Sequence, residues 1–264
     1  MSDFHWDYEV FLFIGTLATA LAWFVSRLLK RQHKASSKPS RTKQTVVAVG
    51  GFFPILFLVL SVRSFAYEPY RIPSSSMMPT LLTGDFILVD KSVYGIKMPV
   101  FHNTLLATGH PQRGDVVVFR SVEDPSVDVI KRVIGVPGDH IRYDEDSKQV
   151  FVNGEPLVAE DLGQYTGFSD DIDAHGLHAY ASTTGDQAHQ VLHSKWVHHR
   201  YPLTELVVPE GHYFGMGDNR DFSKDSRIFG LISERHVVGQ AKVIWMHWRP
   251  DDFIAGLKRV GRLL

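Results

Sequence analysis

Three short segments carry side chains whose types and spacing could support bond-breaking chemistry. The first reads Tyr70-Arg71-Ile72-Pro73-Ser74-Ser75-Ser76-Met77-Met78-Pro79-Thr80-Leu81. A serine hydroxyl is a weak nucleophile until a base removes its proton. Composition alone makes three serines between prolines a linker, yet linkers seldom pair serine with Met77-Met78 and return at once to a hydrophobic strand. The second segment is Asp128-Val129-Ile130-Lys131-Arg132-Val133-Ile134-Gly135-Val136. Strand alternation sends Lys131 and Arg132 to opposite faces, and their neighbours on both faces are apolar. One of the two cations is therefore expected against an apolar surface. Arginine stays protonated there, whereas a desolvated lysine can lose its proton and act as a base. A lysine stem snorkelling at a strand edge fits the same pattern. The third segment is Gly215-Met216-Gly217-Asp218-Asn219-Arg220-Asp221-Phe222-Ser223-Lys224-Asp225-Ser226-Arg227. It is too dense in Gly, Asp, Asn, Arg and Ser for a core strand and reads as a tight polar loop with Asp–Arg pairing. On its residues alone, that loop is equally well structural or the brace of a site.

The elements that must position these segments are mainly β. Phe86–Val89, Asp115–Phe119, Val129–Val136, Gln149–Val152 and Val237–Trp245 are short β-branched and aromatic runs. Thr83-Gly84-Asp85, Arg113-Gly114-Asp115, Pro137-Gly138-Asp139 and Asn153-Gly154 punctuate them as turns. Asn153-Gly154, between Val152 and Glu155, predicts a type I′ hairpin. No long amphipathic helix interrupts the strands, which argues against βαβ units. Residues 158–204 stand apart, weakly periodic and rich in Gly, Asp, Ser and Thr, with six histidines: His175, His178, His189, His193, His198 and His199. They read as a loop-rich extension carrying solvated histidines. No tight His-x3-His spacing or paired carboxylate supports zinc there, and neither a metal nor a cofactor is expected.

Upstream, the pattern changes to two long apolar runs. Val10–Ser26 gives 17 uncharged residues and Gln44–Val62 gives 19. A membrane-spanning helix needs about 17–25 such residues. Neither run shows a polar face, and Pro54 is better tolerated in a membrane helix than in a soluble one. A cleaved leader fits the first run poorly, because Asp3, Asp7 and Glu9 precede it where a leader carries cations. Between the runs lie Arg27, Lys30, Arg31, Lys34, Lys38, Arg41 and Lys43, with no acid among them. Short loops with such an excess stay in the cytoplasm. The expected order is a short extracytoplasmic N-terminus (1–9), a first transmembrane helix (10–29), a basic cytoplasmic loop (30–43), a second transmembrane helix (44–62) and an extracytoplasmic domain (63–264) that includes the extension at about 158–204. With 28 Lys+Arg against 29 Asp+Glu, the chain is no global nucleic-acid binder. Zero cysteines exclude a disulfide scaffold, a Cys-ligated metal and a thiol nucleophile.

Taken together, the three segments resemble those of the bacterial type I signal peptidases, the leader peptidases of the Ser-Lys class. A Ser-x-Ser-Met-x-Pro-Thr box is matched at Ser74, Ser76, Met77, Pro79 and Thr80. A Lys-Arg-x-x-Gly-x-Pro-Gly-Asp box is matched at Lys131, Arg132, Gly135, Pro137, Gly138 and Asp139. The third box is matched at Gly217, Asp218, Asn219, Arg220, Ser223, Asp225, Ser226 and Arg227. Phe222 departs from it, since polar Asn is common in the family at that place. The resemblance covers nearly the whole chain outside 158–204. It implies a mainly β, signal-peptidase-like catalytic domain of antiparallel sheets behind two transmembrane helices.

The resemblance also assigns roles. Ser76 would be the nucleophile, Lys131 its general base, and the Ser76 N–H with the Ser74 hydroxyl an oxyanion hole. Ser223 would hydrogen-bond and orient the lysine amine, and Asp225 and Arg227 would support the loop as an ion pair. Ile72, Pro73, Met77, Leu81 and Ile130 would wall shallow pockets for Ala-like side chains at −1 and −3. Implied partners are the signal peptides of exported preproteins and the lipid bilayer, with room for the protein-export machinery and none for nucleic acid. The implied location is the bacterial inner membrane, multi-pass, with the catalytic domain facing the periplasm or outside. Three other classes were weighed. Self-cleaving repressors share a Ser-Lys dyad but carry a DNA-binding domain where this chain has its spans. A penicillin-binding enzyme would use Ser-x-x-Lys, and the match at Ser40–Lys43 falls in the basic loop. A membrane-anchored scaffold or receptor would tolerate replacement of Ser76 and Lys131. Protease added to spheroplasts should digest the domain beyond Arg63 while sparing residues 27–43; protection of that domain would overturn the topology.

Overall fold

The computed structural model describes residues 8–31, 40–97, 104–167, 176–248 and 256–264. The loop cations Lys34 and Lys38, the acidic Asp3 and Asp7, and His175 lie outside the described residues. Helices α1 (Tyr8–Arg31), α2 (Arg41–Gly51) and α3 (Phe53–Phe65) come first. Strands β1 (Tyr67–Arg71), β2 (Asp85–Asp90), β3 (Ile96–Lys97), β4 (Thr104–Leu106), β5 (Val116–Arg120) and β6 (Asp128–Gly135) follow. Next are β7 (His140–Asp144), β8 (Gln149–Val152), β9 (Glu155–Pro156), β10 (Val158–Gln164), β11 (Leu177–Thr184) and β12 (Gln187–Ser194). The order closes with β13 (Glu205–Val207), β14 (His212–Met216), the short helix α4 (Ser226–Phe229), β15 (Ile232–Ser233) and β16 (Val237–His247). Two compact units result: residues 1–68 with 95–107, and residues 69–94 with 108–264.

In the first unit, Val10–Leu29 and Arg41–Phe65 are long and apolar enough to cross a membrane, as befits a membrane protein. Most of their apolar side chains, including Leu21, Ile55 and Leu58, are exposed. A Cβ at Gly50 would stand 2.7 Å from the Trp23 backbone, so glycine permits this close approach of α2 to α1. The second span opens at Arg41, three residues earlier than the uncharged run, because long cationic side chains are good helix formers and can reach away from apolar surroundings. Helices α2 and α3 meet at Phe52, which keeps right-handed helical φ and ψ of −78° and −17°, and Pro54 falls in the first turn of α3.

In the second unit, a seven-stranded sheet has the order β1-β2-β16-β5-β6-β14-β15. Its central β5 is a continuous apolar run because both of its faces are covered. Val116 and Val118 join a cluster with Ile87, Val89, Ala241 and Ile244, whereas Val117 and Phe119 join Val133, Tyr213 and Ile232 on the other side. A four-stranded sheet, β13-β7-β8-β9, packs Ile141, Val150 and Val152 with Phe214 and Met216. Asn153 and Gly154 both take positive φ, 54° and 87°, at the tight turn between β8 and β9.

The expected loop-rich extension is mostly sheet: β10, β11 and β12 form a three-stranded antiparallel layer, with Leu177 opposite Ser194 and Thr184 opposite Gln187. Its buried positions include Ala179, Ser182, Thr184, His193 and Ser194. Small and polar residues facing inward dilute the two-residue hydrophobic period that reveals a strand. The histidines divide accordingly: His198 and His199 are exposed, but His193 is buried and the His189 side chain is only 5% exposed. The β11–β12 turn seats against residues 113–114. Gly114, at φ 95°, would place a Cβ 2.5 Å from the Thr184 carbonyl oxygen. Gly114→Ala should therefore cost about 1–3 kcal/mol through strain and displacement of the turn, measurable as a lower thermal midpoint in detergent.

Candidate active site

Ser76 sits in a turn tied by two backbone bonds, Met78 N–H to the Ser75 carbonyl at 3.0 Å and Leu81 N–H to the Met77 carbonyl at 3.0 Å. The two methionines after it diverge into different cores. Met77 enters the cluster of Ile72, Leu81, Ile87 and Val89, while Met78 packs with Leu82 against Leu177, Ala179 and Leu192 of the extension. Methionine suits such a wedge because its unbranched side chain fills irregular gaps. The turn is thereby held from both sides, and Ser76 keeps 9% exposure. Ser74 is exposed, with its Oγ 3.4 Å from Ser76 Oγ.

Strand β6 delivers the lysine. Val117 of β5 is opposite Lys131, and Gly215 and Met216 of β14 are opposite Val133 and Arg132. Lys131 Nζ lies 2.9 Å from Ser76 Oγ, across 55 residues of sequence. Both cations of the pair are buried, each 3% exposed, where one had been expected. The difference lies in their partners. Arg132 donates from Nε and Nη2 to Asp218 at 2.9 and 2.8 Å and from Nη1 to the Gly114 carbonyl at 2.8 Å. A bidentate carboxylate keeps a buried guanidinium affordable. Lys131 has only a hydroxyl. Burial lowers its pKa from 10.5 to about 8, against the opposing pull of Asp225 and Asp218 and with help from Arg227.

The polar loop after β14 is built around the buried Asp225–Arg227 pair. Arg227 donates from Nε and Nη2 to Asp225, both at 2.8 Å, and from Nη2 to the Arg220 carbonyl at 2.5 Å. Its guanidinium also lies 4.2 Å from the Tyr201 ring centre. Asp225 accepts from Gly217 N–H at 3.1 Å. Burial pushes the Asp225 carboxyl up, but Arg227 and these hydrogen bonds together hold it below the usual range. The loop then grips the serine turn: Asn219 N–H donates to the Ser76 carbonyl at 3.1 Å and Asn219 Nδ2 to the Ser75 carbonyl at 3.2 Å. Gly217 fits between Ser223 Oγ and the Ser76 carbonyl, where any Cβ would collide with both.

Two implied placements differ. Ser223 Oγ is buried beside Gly217 without a hydrogen-bond partner, so the bond to the lysine amine is not made; Lys131 Nζ is directed at Ser76 instead. Ile72, Met77, Leu81 and Ile130 share one cluster, but Met77 and Leu81 are fully buried by Ile87, Val89 and their neighbours. They are core rather than pocket wall, whereas Pro73 is exposed and Ile130 half-buried. Thr80, Arg132, Asp218 and Asn219 carried no role on sequence, yet they connect the serine turn to the lysine strand. Thr80 Oγ1 donates to Asp218 Oδ2 at 2.5 Å. Their matches to the boxes were the available signal. Among the described residues, no group of three His, Asp or Glu side chains converges to hold a metal.

The model of the family described as signal peptidase, peptidase S26, matches residues 44–248. Signal peptidase I of Pseudomonas aeruginosa is 43% identical over 223 residues, covering 80% of this chain and 76% of its own. That of Buchnera aphidicola from Acyrthosiphon pisum is 34% identical over 299 residues, covering 92% and 93%. A crystal structure of a signal peptidase I from Enterococcus faecalis, 31% identical, covers 50% of this chain and 97% of its own, with a TM-score of 0.32. The chain belongs to the signal peptidase S26 family and is a serine endopeptidase of that type.

Asp218→Asn would leave Arg132 buried without its counter-charge. The expected loss is about 3–5 kcal/mol, read as a lower denaturant midpoint; an unchanged midpoint would show that Asp218 is not the partner on which Arg132 depends.

Proposed function

We propose that this chain removes N-terminal signal peptides from exported preproteins after Ala-x-Ala-like sites, with Ser76 as nucleophile and Lys131 as general base. The observation that carries the reading is the 2.9 Å contact between a buried serine hydroxyl and a buried lysine amine. Neutral Lys131 Nζ takes the Ser76 proton as Oγ attacks the scissile carbonyl carbon. The developing oxyanion accepts hydrogen bonds from Ser76 N–H and Ser74 Oγ–H, supported by the position of Ser74 beside Ser76. Protonated Lys131 then gives its proton to the departing amine, leaving the acyl group on Ser76 Oγ. Neutral Lys131 Nζ then takes a proton from water as the water attacks the ester, and returns it to Ser76 Oγ as the acyl–oxygen bond breaks.

The Asp225–Arg227 pair supports the loop that grips Ser76. Pro73 and Ile130 offer surface to small side chains near the scissile bond, with Ile72 behind them. The enzyme would sit in the bacterial inner membrane with its β domain outside the cytoplasm. Signal peptides would then reach the site from the bilayer, next to the protein-export machinery.

Because only the neutral amine can accept a proton, kcat/KM for a preprotein should climb as pH rises through about 8. Lys131→Arg should fold and fail to cleave, since arginine supplies no neutral base. Ser76→Ala should be equally inactive, and the double variant hardly worse. Asp128→Asn should retain activity, because no acidic third member is assigned. Near-wild-type cleavage by Lys131→Arg, with folding checked by circular dichroism, would overturn the mechanism.

A further inference from the structure

A second set of contacts reaches the serine turn from residues 256–264. Arg259 is 8% exposed. It donates from Nε and Nη2 to the two carboxylate oxygens of Asp85, at 2.9 and 2.6 Å, and from Nη2 to the Thr80 carbonyl at 3.1 Å. Asp85 in turn accepts from Leu82 N–H at 2.8 Å and pairs with His247 Nδ1 at 2.7 Å. The segment that carries Arg259 is fixed to β16. Ile244 N–H bonds the Arg262 carbonyl at 3.0 Å, Gly261 N–H bonds the Ile244 carbonyl at 2.8 Å, and Leu264 N–H bonds the Lys242 carbonyl at 3.0 Å. Leu264 then packs against the cluster that contains Ile72, Met77 and Leu81.

Thr80 is thus held at both of its polar ends. Its hydroxyl bonds Asp218, which is tied to the lysine strand through Arg132, and its carbonyl bonds Arg259. Releasing the carbonyl end frees the turn to pivot about the hydroxyl end, and the atom four residues away that must meet Lys131 Nζ is Ser76 Oγ. We propose that Arg259 is a positioning residue for the cleavage reaction, fixing the serine turn through the Thr80 carbonyl and Asp85. The proposal rests on the Ser76–Lys131 reading. It assigns to a residue 128 positions beyond the lysine the task of keeping the nucleophile in register.

The test uses the full chain in detergent and a preprotein with an Ala-x-Ala site. Arg259→Met should lower kcat by tenfold or more, as misplacement of reacting groups does, with KM within twofold because Arg259 faces no substrate. The midpoint of the pH–rate profile should stay put, since Lys131 keeps its surroundings. Arg259→Lys, which keeps the charge opposite Asp85 but lacks the fork that also reaches Thr80, should recover only part of kcat. It also serves if the Met variant does not fold. His247→Gln removes a different Asp85 contact and leaves the Thr80 bond, so it should lower the thermal midpoint and spare kcat at temperatures well below it. The inference is overturned if kcat of the folded variants stays within twofold of wild type, if KM carries the loss, or if His247→Gln loses kcat in parallel with Arg259→Met. Cleavage by Ser76→Ala would instead sink the serine–lysine reading itself.

Discussion

On the proposed reading Lys131 works only as a neutral amine, and that requirement constrains everything built around it. The lowering of Lys131 from 10.5 to about 8 corresponds to roughly 3 kcal/mol. One unit charge at about 4 Å contributes on the order of 4 kcal/mol at an effective dielectric constant near 20. A single uncompensated carboxylate beside Lys131 would therefore cancel the effect of burial. Asp218 and Asp225 both act on the lysine, and each is neutralised by an arginine of its own, Arg132 and Arg227. The two guanidiniums let acidic residues knit the site together while the amine's pKa stays below its ordinary value.

The same economy explains why the serine lies in a turn that is so heavily tied down. A lysine whose hydrogen-bond partner is a neutral hydroxyl gains no ion pair from it, so it cannot pull a mobile serine into place. Position has to come from packing and from backbone contacts. Met77 and Met78 anchor the turn in two separate cores, Asn219 holds two consecutive carbonyls, and Gly217 allows the polar loop to close against the Ser76 backbone. Each contact acts on main chain or on buried apolar surface, and Pro73 and Ser74 stay exposed.

Much of this was legible in the residues, and the parts that were not have physical reasons. The β character of the second unit, the Asn153-Gly154 turn and the two apolar helices follow from patterns confined to a few residues. Lys131 and Arg132 announced themselves as cations in an apolar strand, but alternation could not say that both would be buried, because Asp218 lies 86 residues from Arg132. The sheet of residues 158–194 escaped notice because, beside Leu177, Val191 and Leu192, many of its inward side chains are small, hydroxylated or imidazole. Met77, matched to a box, and Leu81, just beyond it, carried an expected pocket role, yet only packing could reveal them as core. Asp85 read as the end of a turn; its meeting with Arg259 has no local sign at all.

That last contact spans 174 residues, against 55 for Ser76 and Lys131. During synthesis, at roughly 5–20 residues per second, a chain that has grown past Lys131 already possesses both reacting groups. It still lacks the arginine that clasps the Thr80 carbonyl. On the proposed reading, the side chains of the reaction are made early, whereas the contacts that align them come from later segments, first the polar loop after β14 and last Arg259.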